Sequence, residues 1–95
     1  MKIEITQSAS SDLGNILDYY REQGVPEKGR QLASEILKKT ERLAAFPDSG
    51  RIVPEFEMGF LREIIVPPFR VVYRRDPHKV WLIRIWRSER LLSLE

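Results

Sequence analysis

The chain has 95 residues, 42% of them apolar and 32% charged, with a formal net charge of +2. That size supports one hydrophobic core and no second domain, so residues 1–95 are expected to form a single globular domain. With no cysteine and one histidine, His78, neither a disulfide scaffold nor a cysteine zinc site can be assembled, and no metal or cofactor is expected.

Lys2 to Thr6 alternates, with Ile3 and Ile5 on one side, and predicts a short strand. Ser8, Ser10, Ser11 and Asp12 are candidate N-caps for a helix whose apolar stripe is Leu13, Ile16, Leu17 and Tyr20. Gly24 is a natural terminator and Pro26 suits the first turn of a second helix. That helix is expected to bury Leu32, Ala33, Ile36, Leu37, Leu43 and Ala44, with Phe46 closing the pattern and Pro47 stopping it. The short connection at Gly24-Val25-Pro26 makes the pair an antiparallel hairpin.

Pro47-Asp48-Ser49-Gly50 reads as a turn, and the segment up to Gly59 is irregular. Leu61 to Val66 predicts a strand, Pro67-Pro68 a break, Phe69 to Arg75 the next strand, Asp76-Pro77-His78-Lys79 a turn, and Val80 to Arg87 the last strand. The fold expected is α+β, in the order β-α-α-β-β-β. The helical hairpin lies on one face of a mostly antiparallel four-stranded sheet. Strict alternation puts Phe69, Val71, Tyr73, Trp81, Ile83 and Ile85 under the helices. Arg70, Arg74, Arg84 and Trp86, with Val72 and Leu82, then fall on the opposite, uncovered face.

Charge follows the same division. Between residues 69 and 90 there are seven basic residues, Arg70, Arg74, Arg75, Lys79, Arg84, Arg87 and Arg90, against Asp76 and Glu89. Arginine offers a planar fork of donors to phosphates and carboxylates and stacks on rings. Like charges on neighbouring strands repel, so their gathering favours a binding surface for an anionic partner. Arg62 and Glu63 suit cross-strand ion pairs, Arg51 suits the carboxyl end of the second helix, Trp81 suits packing, and His78 suits a solvated turn.

In order and spacing these pieces resemble the RelE/ParE superfamily of bacterial type II toxins, and most closely ParE. The resemblance rests on Ala9, Asp12-Leu13, Ile16 and Tyr20, then Leu43, Phe46-Pro47, Gly50-Arg51 and Pro54-Glu55. It continues through Leu61-Arg62-Glu63-Ile64, Phe69-Arg70-Val71-Val72-Tyr73-Arg74 and Ile83-Arg84-Ile85-Trp86-Arg87-Ser88-Glu89-Arg90. It implies a toxin of a plasmid-stabilising pair, held inactive in a hetero-oligomer by a cognate antitoxin. On the ParE reading the target is DNA gyrase, possibly with bound DNA, and the protein inhibits by binding. Arg70, Arg74, Arg84, Arg87 and Arg90 then supply target or nucleic-acid contacts and Trp86 an anchor. The RelE alternative is ribosome-dependent cleavage of mRNA, with Arg70 as the phosphate-binding residue. Trp86 stands where many nuclease members carry a histidine, and indole exchanges no proton near neutral pH. No apolar run approaches the ~18 residues of a membrane span, and Met1 to Thr6 lacks a signal core, so the expected address is the cytoplasm with no membrane partner.

Overall fold

The computed structural model describes residues 1–88. Arg90 and the apolar positions Leu91, Leu92 and Leu94 lie outside the described residues. The elements are β1 (Lys2–Ile5), α1 (Gln7–Glu22), α2 (Pro26–Glu41), a 3-10 turn (Arg42–Ala44), β2 (Arg51–Ile52), β3 (Leu61–Val66), β4 (Phe69–Arg75) and β5 (Lys79–Arg87). The sheet order is β1-β5-β4-β3-β2, with β1 parallel to β5 and every other pairing antiparallel. The α+β order and the helical hairpin match the expectation. The sheet has five strands, not four, because Arg51 and Ile52 pair with Glu63 and Arg62 in a strand too short to leave a periodic signal.

The cap of α1 is Thr6, not one of the serines. Its hydroxyl accepts from the Ala9 N–H at 3.2 Å and donates to the Leu82 carbonyl at 2.9 Å, so one side chain starts the helix and ties it to the last strand. Asp12 lies inside the helix and serves the sheet instead. β1 ends at Ile5, so beyond Leu82 the outer edge of β5 has no strand beside it. Asp12 Oδ2 takes that place, accepting from the Ile85 N–H at 2.8 Å. Gly24, at φ +78°, makes the left-handed residue that ends the first helix and lets the Val25 N–H reach the Tyr20 carbonyl at 2.9 Å. Proline stands at the start of α2 as expected.

The main core lies between hairpin and sheet. Ala9, Ile16, Tyr20, Ile36 and Leu43 meet Val66, Phe69, Val71, Tyr73, Val80, Leu82 and Ile85. Of the residues expected on the buried side of the second helix, Ile36 and Leu43 are buried, Leu32, Ala33 and Ala44 are half-buried and Leu37 is exposed. Leu37, one position round the helix from Ile36, turns away from the sheet, and Phe46 lies beyond the helical turn and is 63% exposed. The chain there is held by its neighbours: Tyr73 Oη donates to the Pro47 carbonyl at 2.7 Å and accepts from the Gly50 N–H at 3.0 Å.

The expected faces of β5 are corrected by a bulge. Val72 pairs with Arg84 and Tyr73 with Leu82, so Ile83 is an extra residue opposite the Val72–Tyr73 step. Period-2 alternation changes phase there. Val80 and Leu82 therefore face the helices together with Ile85, while Trp81 and Ile83 join Arg84 and Trp86 on the other side. That other side is not left bare. The segment after β2 folds over it, burying Val53 on Leu61 and Val72 in a second, smaller core to which Phe56, Ile83 and Trp86 pack. This small core is what fixes the surroundings of the arginines.

Candidate functional site

Arg70 was expected on an uncovered face, but it is 5% exposed. Its neighbour on β3, Glu63, is 1% exposed, and Glu55 descends from the loop above. Arg70 Nε donates to Glu63 Oε1 at 2.8 Å, while Nη1 and Nη2 reach the two oxygens of Glu55 at 2.7 and 2.8 Å. The second oxygen of Glu63 accepts from Arg51 Nε at 2.5 Å, so Arg51 holds the sheet and does not cap α2. Hydrogen bonding to Glu55, opposed by burial and reinforced by Glu63, holds the Arg70 guanidinium above its ordinary pKa. The result is a chain of alternating charges, Arg51–Glu63–Arg70–Glu55, that fastens β2 and the covering loop to the sheet. A bidentate guanidinium so occupied has its fork turned to carboxylates inside the molecule.

The other arginines divide in two. Arg75 is paired with Asp48 at 2.9 Å. Arg84 bends round the sheet edge to Asp12, with Nε 2.9 Å from Oδ2, and its guanidinium lies 4.5 Å from the centre of the Trp86 ring. Arg62 donates to the Gly59 and Gly50 carbonyls at 2.9 Å each, so it serves loop geometry. Arg74 and Arg87 are exposed, and the Arg87 guanidinium stands 5.9 Å from the Phe69 ring centre. Of the six residues expected at the site, the structure thus brings Arg84, Trp86 and Arg87 together, sets Arg70 into the interior and leaves Arg74 on another part of the face. The sixth, Arg90, is outside the described residues.

Arg84, Trp86 and Arg87 border a groove of about 420 Å³ between α1 and the end of β5, whose apolar lining includes Ile16, Tyr19 and Phe69. Tyr19 stands edge-on to Tyr20 with ring centres 5.0 Å apart. An apolar floor with a cationic rim is suited to a partner that brings both apolar side chains and carboxylates. The lining contains no histidine. His78 is exposed in the turn, where its backbone N–H donates to Asp76 Oδ1 at 2.8 Å. Asp76 also accepts from Trp81 Nε1 at 2.9 Å and from the Lys79 N–H. These bonds, the indole's first, pull its carboxyl pKa down to about 2. Glu63 makes the cross-strand ion pairs expected of it, with Arg51 and Arg70, whereas sequence reasoning missed the roles of Asp12, Glu55 and Asp76. Each is the carboxylate that settles where an arginine or a tryptophan points, and only Asp76 is close enough in sequence for a turn motif to have flagged it. Among the described residues no group of three or more His, Cys, Asp or Glu side chains could hold a metal ion, and no helix is long and apolar enough to cross a membrane.

Comparison with known proteins agrees with this architecture. The family model described as ParE toxin of type II toxin-antitoxin system, parDE, matches residues 3–92. Among solved structures, a chain of the chromosomal ParDE toxin-antitoxin system from P. aeruginosa is similar, with a TM-score of 0.78 and 26% identity, covering 94% of this chain and 97% of that one. No curated protein matches. The match falls on the ParE branch and sets aside the mRNA-cleaving alternative.

Proposed function

The chain belongs to the ParE toxin family of type II toxin-antitoxin systems, and from that membership we propose that it acts in the cytoplasm on DNA gyrase and is neutralised by a cognate antitoxin. On this reading the toxin binds gyrase engaged with DNA and stabilises the cleaved-DNA state, without bond chemistry of its own. The observation that carries binding over catalysis is the commitment of Arg70. A phosphate-cleaving site needs cations at the scissile phosphate to stabilise charge that develops in the transition state. Here the guanidinium best placed by sequence for that task is held by Glu55 and Glu63. The antitoxin fits the same picture, since an acidic, amphipathic segment complements the groove with its aromatic lining and arginine rim.

The test is a supercoiling and cleavage assay with purified toxin and gyrase. Micromolar toxin is expected to inhibit supercoiling and to accumulate linearised plasmid, and equimolar antitoxin to reverse both. Unchanged supercoiling and unchanged cleavage levels would overturn the gyrase reading.

A further inference from the structure

The bulge at Ile83 carries Trp81 to the face opposite the helices, the face over which the loop buries Val53 and packs Phe56. There it stands in one lateral row with Glu4 of β1 and Arg74 of β4, and Lys79 with Lys2 forms the adjoining row. We propose that this corner of the sheet is a nucleic-acid contact surface, where an unpaired base stacks on the Trp81 indole and Arg74, Lys79 and Lys2 take the flanking phosphates.

Three observations carry the assignment. First, the ring is oriented before any ligand arrives. Its Nε1–H is held by Asp76 Oδ2 at 2.9 Å, so stacking costs little of the ring's own freedom. Second, the Lys79 ammonium lies 5.2 Å from the ring centre. A cation over the ring marks a face that a planar base can take, with the ammonium moving on to a phosphate. Third, the charges are complementary to a polyanion. Arg74 is exposed, and its charge is felt by Asp76 without a salt bridge between them. Of the two carboxylates nearby, Glu4 is shared between Lys2 at 3.2 Å and Lys79 at 3.8 Å, and Asp76 is occupied by the indole and two backbone N–H groups. This differs from Arg70 and Arg84, whose forks are each answered by an internal carboxylate. The flat ring favours a nucleic acid over an acidic peptide, since a peptide carboxylate gains nothing from the ring's negative face.

The proposal concerns contact with nucleic acid alone and stands apart from the identity of the protein target. Its test is a fluorescence titration of the full chain with an oligothymidylate of about 12 nucleotides, long enough to cross one sheet face. Saturable quenching is expected, absent in Trp81→Phe and weakened at least ~10-fold in Arg74→Glu and Lys79→Glu. With three phosphate contacts the logarithm of affinity should fall against the logarithm of salt with a slope of about −2. Arg74→Glu and Lys79→Glu alter exposed or half-exposed side chains, and unchanged melting curves would show that they report binding. Quenching that persists in Trp81→Phe, absence of quenching, or equal quenching by polyglutamate would each overturn the proposal. A toxin that leaves gyrase untouched yet binds oligothymidylate through Trp81 would refute the target and support this surface.

Discussion

Removing Arg70 would leave Glu63, a carboxylate with almost no solvent contact, to Arg51 alone, and would take from Glu55 the fork that ties its loop to the sheet. Breaking a buried pair by deleting one partner costs about 3–5 kcal/mol where the remaining charge is left without compensation, and Arg51 makes that an upper bound here. Arg70→Ala is therefore expected to lower the stability measured by urea denaturation by up to about that amount, and Arg70→Lys to recover only part of it, since an ammonium cannot bond two carboxylates as a fork does. An Arg70→Ala protein as stable as the parent would contradict the buried network. Loss of toxicity in that variant thus reads as loss of fold. Asp76 gives a second prediction, in pH. Its folded pKa of about 2 lies below the ordinary aspartate value, so its contribution to stability is present above about pH 4 and is lost as pH falls toward 2. The stability gap between parent and Asp76→Asn, followed by urea denaturation, should close over that interval; a gap that stays constant would count against it. The turn around Asp76 was readable from residue order, but the environment of Arg70 was not. Arginine at position 70 alternates with apolar neighbours and looks like a surface residue, because Glu55 and Glu63 meet it only after the loop has folded over the sheet.

At the scale of the element, β5 shows why the helices were legible and one strand face was not. The hairpin announces itself by a stripe, a terminating glycine and an initial proline, all within a few residues. Val80 to Trp86 carries apolar residues on both faces, because the second core needs Ile83 and Trp86 while the first needs Leu82 and Ile85. Alternation in such a strand has no phase of its own, and the bulge supplies it from the pairing with β4. A consequence can be measured. Deleting Ile83 makes the β4–β5 pairing regular and leaves Leu82 and Ile85 on the helix face. The deletion should fold, losing about 1–2 kcal/mol for the packing of a half-buried isoleucine. Leu82→Ala, although it keeps the chain length, should cost more, about 2–5 kcal/mol. Circular dichroism and urea midpoints would decide it, and a deletion protein that is unfolded while Leu82→Ala is intact would refute this reading of the bulge.

The whole molecule is closed by its first strand. β1 lies parallel against β5, so the sheet cannot be completed until the last strand is present, and Thr6 then bonds Leu82 through both backbone and side chain. Such pairing between distant parts of the chain is slow to form, because its loop-closure entropy precedes its reward. It also explains how 95 residues hold two cores. β1 covers the edge of β5 for four residues, Asp12 covers it further on, and Ile3 packs against the main core. The arginine-rich appearance of the second half is likewise resolved only at this scale, since the carboxylates that answer Arg75, Arg70 and Arg84 come from the turn after α2, the covering loop and α1. Truncation of residues 1–5 should accordingly remove about 1–2 kcal/mol of Ile3 burial and about 1 kcal/mol for each ladder hydrogen bond. Against the 5–15 kcal/mol typical of small domains, that leaves a chain near its folding limit. The truncated protein is expected to show a sharply lowered urea midpoint and poor amide dispersion in its NMR spectrum, with the loss greatest at Val80 and Leu82. If its midpoint and spectrum match the parent, β1 is an accessory to the sheet and closure by the first strand is not what stabilises the molecule.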